Sequence, residues 1–174
     1  KTHHTLIAYC KKKNIEFLST AFDFESLDFL VNDLGLTTLK IPSGEITNGP
    51  LLLAHAQTGC DLILSTGMAT LGEVEEALGV LAFGLLNYNN SKIAPSRYAF
   101  QEAYFSDAGQ CLLKDKLTLL HCTTEYPAPP DEINLNAIVS MRNAFGLKTG
   151  YSDHSKGITV SIAAATVGAT LIEK

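Results

Sequence analysis

Thr38-Leu-Lys-Ile-Pro-Ser-Gly-Glu45 is the stretch on which the fold turns. A short apolar run with one cation inside it stops abruptly in proline, serine and glycine. The run is too short for a helix and reads as a strand that ends in a turn. The same shape recurs on both sides of it, at residues 16–20, 61–66, 117–123, 149–153 and 170–174, which with 38–42 makes six candidate strands. These runs are leucine-rich or β-branched and mostly unbroken, the pattern of strands covered on both faces in a parallel sheet.

Helical patterns lie between them. Residues 5–13 precede the first strand, and 24–33 carry Leu27, Leu30 and Val31 at helical spacing, with Leu34 just beyond. Residues 50–58 open on Pro50 and stop at Gly59, a proline start and a glycine stop. Thr70 and Glu73 are spaced as a capping box, in which each side chain satisfies a backbone N–H of the first turn. Residues 136–145 and 157–167 complete the set. Alternating strands and helices with short links predict a parallel sheet with right-handed crossovers. A doubly wound sheet is the rival architecture. It usually carries a glycine-rich phosphate turn after its first strand, and neither Gly-x-Gly-x-x-Gly nor Gly-x4-Gly-Lys-Ser/Thr occurs, which favours a barrel. Residues 87–115 break the rhythm, asparagine-rich at first and then aromatic at Tyr98, Phe100, Tyr104 and Phe105. They read as a surface insertion with a short helix around 97–105; a lid or a subunit contact is the alternative.

Bulk properties narrow the function classes. With 174 residues, 46% hydrophobic and 18% charged, the chain has the profile of one globular unit able to bury a core. Its net charge of −5 and scattered basic residues, with Lys11-Lys12-Lys13 the only run, argue against nucleic acid. No apolar stretch approaches a membrane span and no signal peptide opens the chain, so no membrane partner and a cytoplasmic location are expected. Cys10, Cys60, Cys111 and Cys122 lie far apart without a Cys-x-x-Cys pair, three of them in apolar surroundings, and read as buried free thiols of a reducing compartment.

Ionisable and polar residues gather where each strand stops. They are Ser19 and Thr20; Lys40, Ser43, Gly44 and Glu45; Ser65, Thr66 and Gly67; His121, Thr123, Thr124, Glu125 and Tyr126; Tyr151, Ser152, Asp153 and His154; then Glu173 and Lys174. In a barrel the C-terminal strand ends form the active-site rim, so these side chains would converge. One lysine, several hydroxyls and glycine-exposed amides suit a phosphate or carboxylate. Glu45, two residues past Ser43, is placed to move a proton. His154 can ligate a metal through one ring nitrogen while an acceptor holds the other. Each also has a plain structural reading: Lys40 as half of an ion pair, Thr70 as a helix cap, His121 as a hydrogen-bonded core residue, and His3, His4 and His55 as surface residues of helices.

Taken together, Lys40-Ile-Pro-Ser-Gly-Glu45, Leu64-Ser-Thr-Gly-Met68, His121-Cys-Thr-Thr-Glu-Tyr-Pro127 and Gly150-Tyr-Ser-Asp-His154, with Ser19-Thr-Ala-Phe22 alongside, resemble the N-acetylneuraminate (sialic acid) synthase family over nearly the whole chain and in the family's order. The resemblance implies a metal-dependent (β/α)8 TIM barrel that condenses phosphoenolpyruvate with an open-chain N-acylated amino sugar, N-acetylmannosamine or a diacetamido relative. The products would be a nonulosonic acid and phosphate. It implies that Lys40, Ser43, Ser65, Ser152 and Thr20 hold the phosphate and carboxylate, that Glu45 does the acid–base work, and that Tyr126 contacts the sugar. It also implies that His154 ligates Mn2+ or Mg2+ and that the full-length protein is a homodimer. Thr124 stands where some members carry asparagine as a substrate contact, which leaves the sugar open.

The family's first two strands and its C-terminal antifreeze-like domain have no counterpart, and its second metal histidine follows an Ile-Glu-Lys run like the one at which this chain ends. Residues 1–174 are therefore expected to be a single partial barrel of about six βα units, with weak or no activity by themselves. Two other functions fit the same residues. A Schiff-base aldolase would use Lys40 as nucleophile, and a non-catalytic barrel piece would act as an assembly surface through 87–115.

Overall fold

The computed structural model describes residues 2–88 and 93–174. Five parallel strands, hydrogen-bonded in chain order, form a curled half-barrel: β1 (Thr38–Ile41), β2 (Asp61–Ser65), β3 (Leu117–Cys122), β4 (Lys148–Ser152) and β5 (Ile172–Glu173). The sixth expected strand, 16–20, contributes a single parallel bridge, Thr20 to Lys40. A strand exists only where a neighbour answers its backbone groups, and β1 answers this run at one position. At the other edge β5 is two residues long, although Thr170 N–H, Tyr151 N–H and Asp153 N–H bind the carbonyls of Thr149, Leu171 and Glu173 along the same seam.

The helices are α1 (Thr2–Lys12), α2 (Phe24–Asp28), α3 (Gly49–Ala56), α4 (Leu71–Leu86), α5 (Arg97–Phe105), α6 (Asp107–Lys116), α7 (Asn136–Phe145) and α8 (Thr159–Thr166), with a π-helical turn at Phe29–Asp33 extending α2. Thr70 and Glu73 cap α4 reciprocally, as their spacing predicts. The 97–105 helix is α5. Helix α6 was not legible: Ser106 both ends α5, donating to the Ala103 carbonyl at 2.8 Å, and caps α6, accepting from Gly109 N–H at 3.0 Å. Both helices pack on α4, where Phe83 and Phe100 meet edge to face with centroids 5.2 Å apart and Ala103 and Leu113 are buried. Residues 89–92 of the 87–115 stretch lie outside the described residues.

The register sorts the strands into two faces. Thr20, Lys40, Ile63 and Thr118 are paired neighbours at one level; Ser65 pairs with Leu120, Cys122 with Ser152, and Ser152 with Glu173. Paired residues of parallel strands point the same way, and the period is two. Thr20, Lys40, Ser65, Ser152 and Glu173 therefore share one face. The opposite face is Leu39, Ile41, Leu62, Leu64, Leu117 and Leu119, all at most 2% exposed, packed with Leu78 and Leu81 of α4 in the main core. Each such leucine stabilises the fold by about 1.5–3 kcal/mol through burial. Gly84 lets α3 and α4 touch: a Cβ there would lie 2.4 Å from that of Ala56.

His55 is not a surface residue but fully buried, because α3 turns Leu51, Leu52, His55 and Ala56 inward together. Its Nδ1 donates to the Leu51 carbonyl at 2.9 Å and its Nε2 has no partner, while burial lowers its pKa.

Candidate active site

The polar face ends in a network at the C-terminal edges of β1, β4 and β5. Lys40, only 8% exposed along its side chain, donates to Glu173 Oε2 at 2.9 Å. Ser152 donates to the same oxygen. Burial works against the charge on Glu173, but the Ser152 hydroxyl and the Lys40 ammonium outweigh it and hold its carboxyl below the usual range. Ser65, 2% exposed on the same face, has a buried hydroxyl with no partner. An unpaired buried hydroxyl costs about 1–3 kcal/mol, and this one stands at a strand end on the polar face.

His154 follows Ser152 by two residues. Its Nδ1 donates to the Thr123 carbonyl at 3.0 Å, which fixes the ring between β3 and β4. That tautomer leaves the lone pair on Nε2, which lies 3.4 Å from Ser152 Oγ. The Tyr126 ring, 70% exposed on the rim, lies against the imidazole with centroids 4.3 Å apart and planes tilted by 49°. An imidazole oriented by a carbonyl, with Glu173 across a shared hydroxyl, is suited to a divalent cation. Among the described residues no three His, Cys, Asp or Glu side chains converge; His154 Nε2 and the Glu173 carboxylate are two groups of ligating type, both close to Ser152 Oγ.

Asp153, beside His154, does not orient its ring. Its fully buried carboxylate accepts from Ser155 N–H at 2.8 Å, Ser155 Oγ at 2.6 Å and Ser161 Oγ, and pairs with Lys174 Nζ at 3.0 Å. Burial opposes its ionisation, but these donors prevail and bring its pKa down to about 2. This clamp ties the turn carrying His154 to α8 and to the residue after β5.

A second group sits on the turns after β1, β2 and β3. A Cβ on Gly67, whose φ is +52°, would lie 2.6 Å from Ser43 Cβ and 3.4 Å from Thr124 Oγ1, so only glycine lets the three strand ends meet. Glu45 closes the same turn as Ser43, and its Oε2 accepts from Asn48 Nδ2 at 2.7 Å. Asn48 in turn caps α3, its Oδ1 accepting from Leu51 N–H at 3.3 Å. The Glu45 carboxylate is thus tied to the residue that caps α3. The structure joins Lys40, Ser152, His154 and Tyr126 through Glu173 and ring contact, sets Thr20 beside Lys40 by a backbone bridge and Ser65 on the same face without a partner, and brings Ser43 and Thr124 both close to Gly67. Glu45 makes its hydrogen bond to Asn48 and to neither group. His121 is hydrogen-bonded as expected, its Nε2 on the Ile133 carbonyl at 2.6 Å, but it is half-buried and not part of the core. Asn48 was missed as a site residue, and Glu173 was placed at its strand end without a role; the signals were an asparagine ahead of Gly49-Pro50 and a lone acid in the last strand.

The model described as the NeuB family matches residues 1–174. The chain belongs to that family. N,N'-diacetyllegionaminic acid synthase of Campylobacter jejuni is 50% identical over 174 residues, all of this chain and 44% of the relative. The synthase of the same name from Legionella pneumophila is 40% identical over 172 residues, 99% of this chain and 41% of the relative. This NeuB-family chain thus spans less than half the length of either. Among solved structures, the N-acetylneuraminic acid synthetase of Leptospira borgpetersenii in complex with citrate superposes with a TM-score of 0.76 at 34% identity, covering 98% of this chain and 49% of that one. Phospho-2-dehydro-3-deoxyheptonate aldolase of Thermotoga maritima superposes at 0.62 with 19% identity over 94% of this chain and 42% of that one, a likeness of fold alone. No helix among the described residues is long and apolar enough to cross a membrane.

Proposed function

We propose that this chain forms the phosphoenolpyruvate-holding side of the active site of a nonulosonic acid synthase. The observation that carries the reading is the buried Lys40 ammonium sharing one sheet face with the unpartnered Ser65 hydroxyl and with Ser152, next to His154. A buried cation with hydroxyl donors at strand ends holds a phosphate or a carboxylate. Lys40, Ser43, Ser65, Ser152 and Thr20 take these two groups of phosphoenolpyruvate. The enol C3 attacks the sugar aldehyde carbon, and the new C–C bond leaves positive charge at C2. Water adds there, and the phosphate departs with the bridging oxygen, so that C2 becomes a ketone. Glu45, aimed by Asn48, moves a proton between the water and the aldehyde oxygen. Tyr126 and Thr124 border the sugar. His154 and Glu173 would hold part of the shell of Mn2+ or Mg2+, which as a Lewis acid polarises a carbonyl.

Identities of 50% and 40% to two N,N'-diacetyllegionaminic acid synthases, against 31% to an N-acetylneuraminate-9-phosphate synthase, favour a diacetamido-trideoxy hexose over N-acetylmannosamine. Lys40 gives its hydrogen bond to a carboxylate, an arrangement for anion holding and not for a nucleophilic amine. The test is to incubate the intact protein with Mn2+, phosphoenolpyruvate labelled with 18O at the bridging position, and each sugar in turn. The labelled oxygen is expected in phosphate, with the nonulosonic acid formed faster from the diacetamido sugar. No sugar acid from either substrate would overturn the reading; borohydride trapping of pyruvate on Lys40 would put the aldolase in its place.

A further inference from the structure

We infer that Glu173 is a built-in occupant of the anion cradle, which an anionic ligand must displace from Lys40 and Ser152, and that a cation beside His154 receives it. This rests on reading the mouth as an anion site. Lys40 and Glu173 are 133 residues apart in the chain and meet at 2.9 Å, with Ser152 donating to the same carboxylate oxygen. A phosphate or carboxylate ligand needs those same two donors. Two anions within hydrogen-bonding distance of one ammonium repel each other, so ligand and Glu173 exclude one another. Exposure decides which partner moves: the Lys40 side chain is 8% exposed and held, whereas that of Glu173 is 37% exposed and can turn out of the cradle.

Where it turns is set by Ser152. That hydroxyl lies between Glu173 and the Nε2 of His154, which is 3.4 Å from it. A divalent cation on the imidazole therefore competes with Lys40 for the Glu173 carboxylate. The anion removes the cation's competitor for Glu173, and the cation removes the anion's competitor for Lys40. Linkage then requires each to tighten the other by the same factor. The coupling comes from the transfer of one carboxylate and needs no movement of the sheet.

Inorganic phosphate and Mn2+ are the probes, titrated by calorimetry into the intact protein and its variants, each checked for an unchanged circular dichroism spectrum. Without metal, Glu173→Gln is expected to bind phosphate about tenfold tighter than the natural protein. Glu173→Asp keeps the charge but withdraws the carboxylate by one methylene, and it too is expected to tighten phosphate. Mn2+ is expected to tighten phosphate in the natural protein and to have little effect in Glu173→Gln. The inference is overturned if Lys40→Met abolishes phosphate binding while the Glu173 variants bind no tighter than the natural protein. Tightening in Glu173→Gln alone also overturns it, because that pattern is a long-range field effect without contact. Equal enhancement by Mn2+ in both proteins does the same. A different result sinks the underlying reading: phosphate that does not bind, or that binds regardless of Lys40→Met, means the mouth is no anion site.

Discussion

The two faces of the one sheet obey opposite rules. On the helix-facing side, Leu39, Ile41, Leu62, Leu64, Leu117 and Leu119 interlock with α3 and α4, and every group finds a partner by dispersion and exclusion of water. On the other side, Lys40, Ser65, Ser152 and Glu173 are ionised, hydrogen-bonded or left unsatisfied within the same strands. Adjacent residues of a single strand, such as Leu64 and Ser65, thus serve different ends. The first packs the sheet against its helices, and the second stands on the polar face with its hydroxyl unpartnered. A parallel sheet can do this because its period of two separates packing from chemistry without lengthening any strand.

Substitutions that cross the divide test it. The largest effect is expected on the packed face: Leu119→Ala, at a position with no exposure, lowers unfolding free energy by about 3 kcal/mol in urea denaturation. A loss below about 1 kcal/mol would mean that the leucine face is not what holds the sheet.

The next effect comes from the clamp at the end of the polar face. The pKa of Asp153 falls from the ordinary 3.8 to about 2, so its ionised carboxylate stabilises the fold above pH 4. As the pH drops from about 4 toward 2, the unfolded chain takes up the proton first and roughly 2 kcal/mol of stability disappears. Asp153→Asn should remove that acid-side slope while lowering stability at neutral pH. An unchanged slope would show that another carboxylate is responsible.

The smallest change in stability is expected at Ser65→Ala. The hydroxyl has no partner to lose, so the unfolding midpoint should stay put or rise slightly, while phosphoenolpyruvate binding weakens about tenfold. If stability fell and binding held, Ser65 would belong to the packed face after all.

Local features were legible because they depend on neighbours in the chain. The strand at 38–41 shows its apolar run and its proline stop, and α4 shows its Thr70–Glu73 box. Helix α7 ends at Gly146 in the left-handed conformation, with φ +65°. The run 16–20 looked as good as the others, yet pairs at one residue because pairing depends on a partner and not on the run itself. Helix α6 was hidden behind α5, since the serine between them served both, and His55 was misplaced because a buried face was taken for a wet one.

The sequence by itself determined where each strand stops and which chemical groups stand at its end, because a period of two, a proline and a cap act over a few residues. Only the tertiary structure decided that Lys40 meets Glu173, that Asn48 binds Glu45, and that a carbonyl at Thr123 rather than Asp153 turns the His154 ring. Those contacts depend on register and on the curl of the sheet, which bring the ends of different strands within hydrogen-bond reach, and no local pattern encodes a distance between strands.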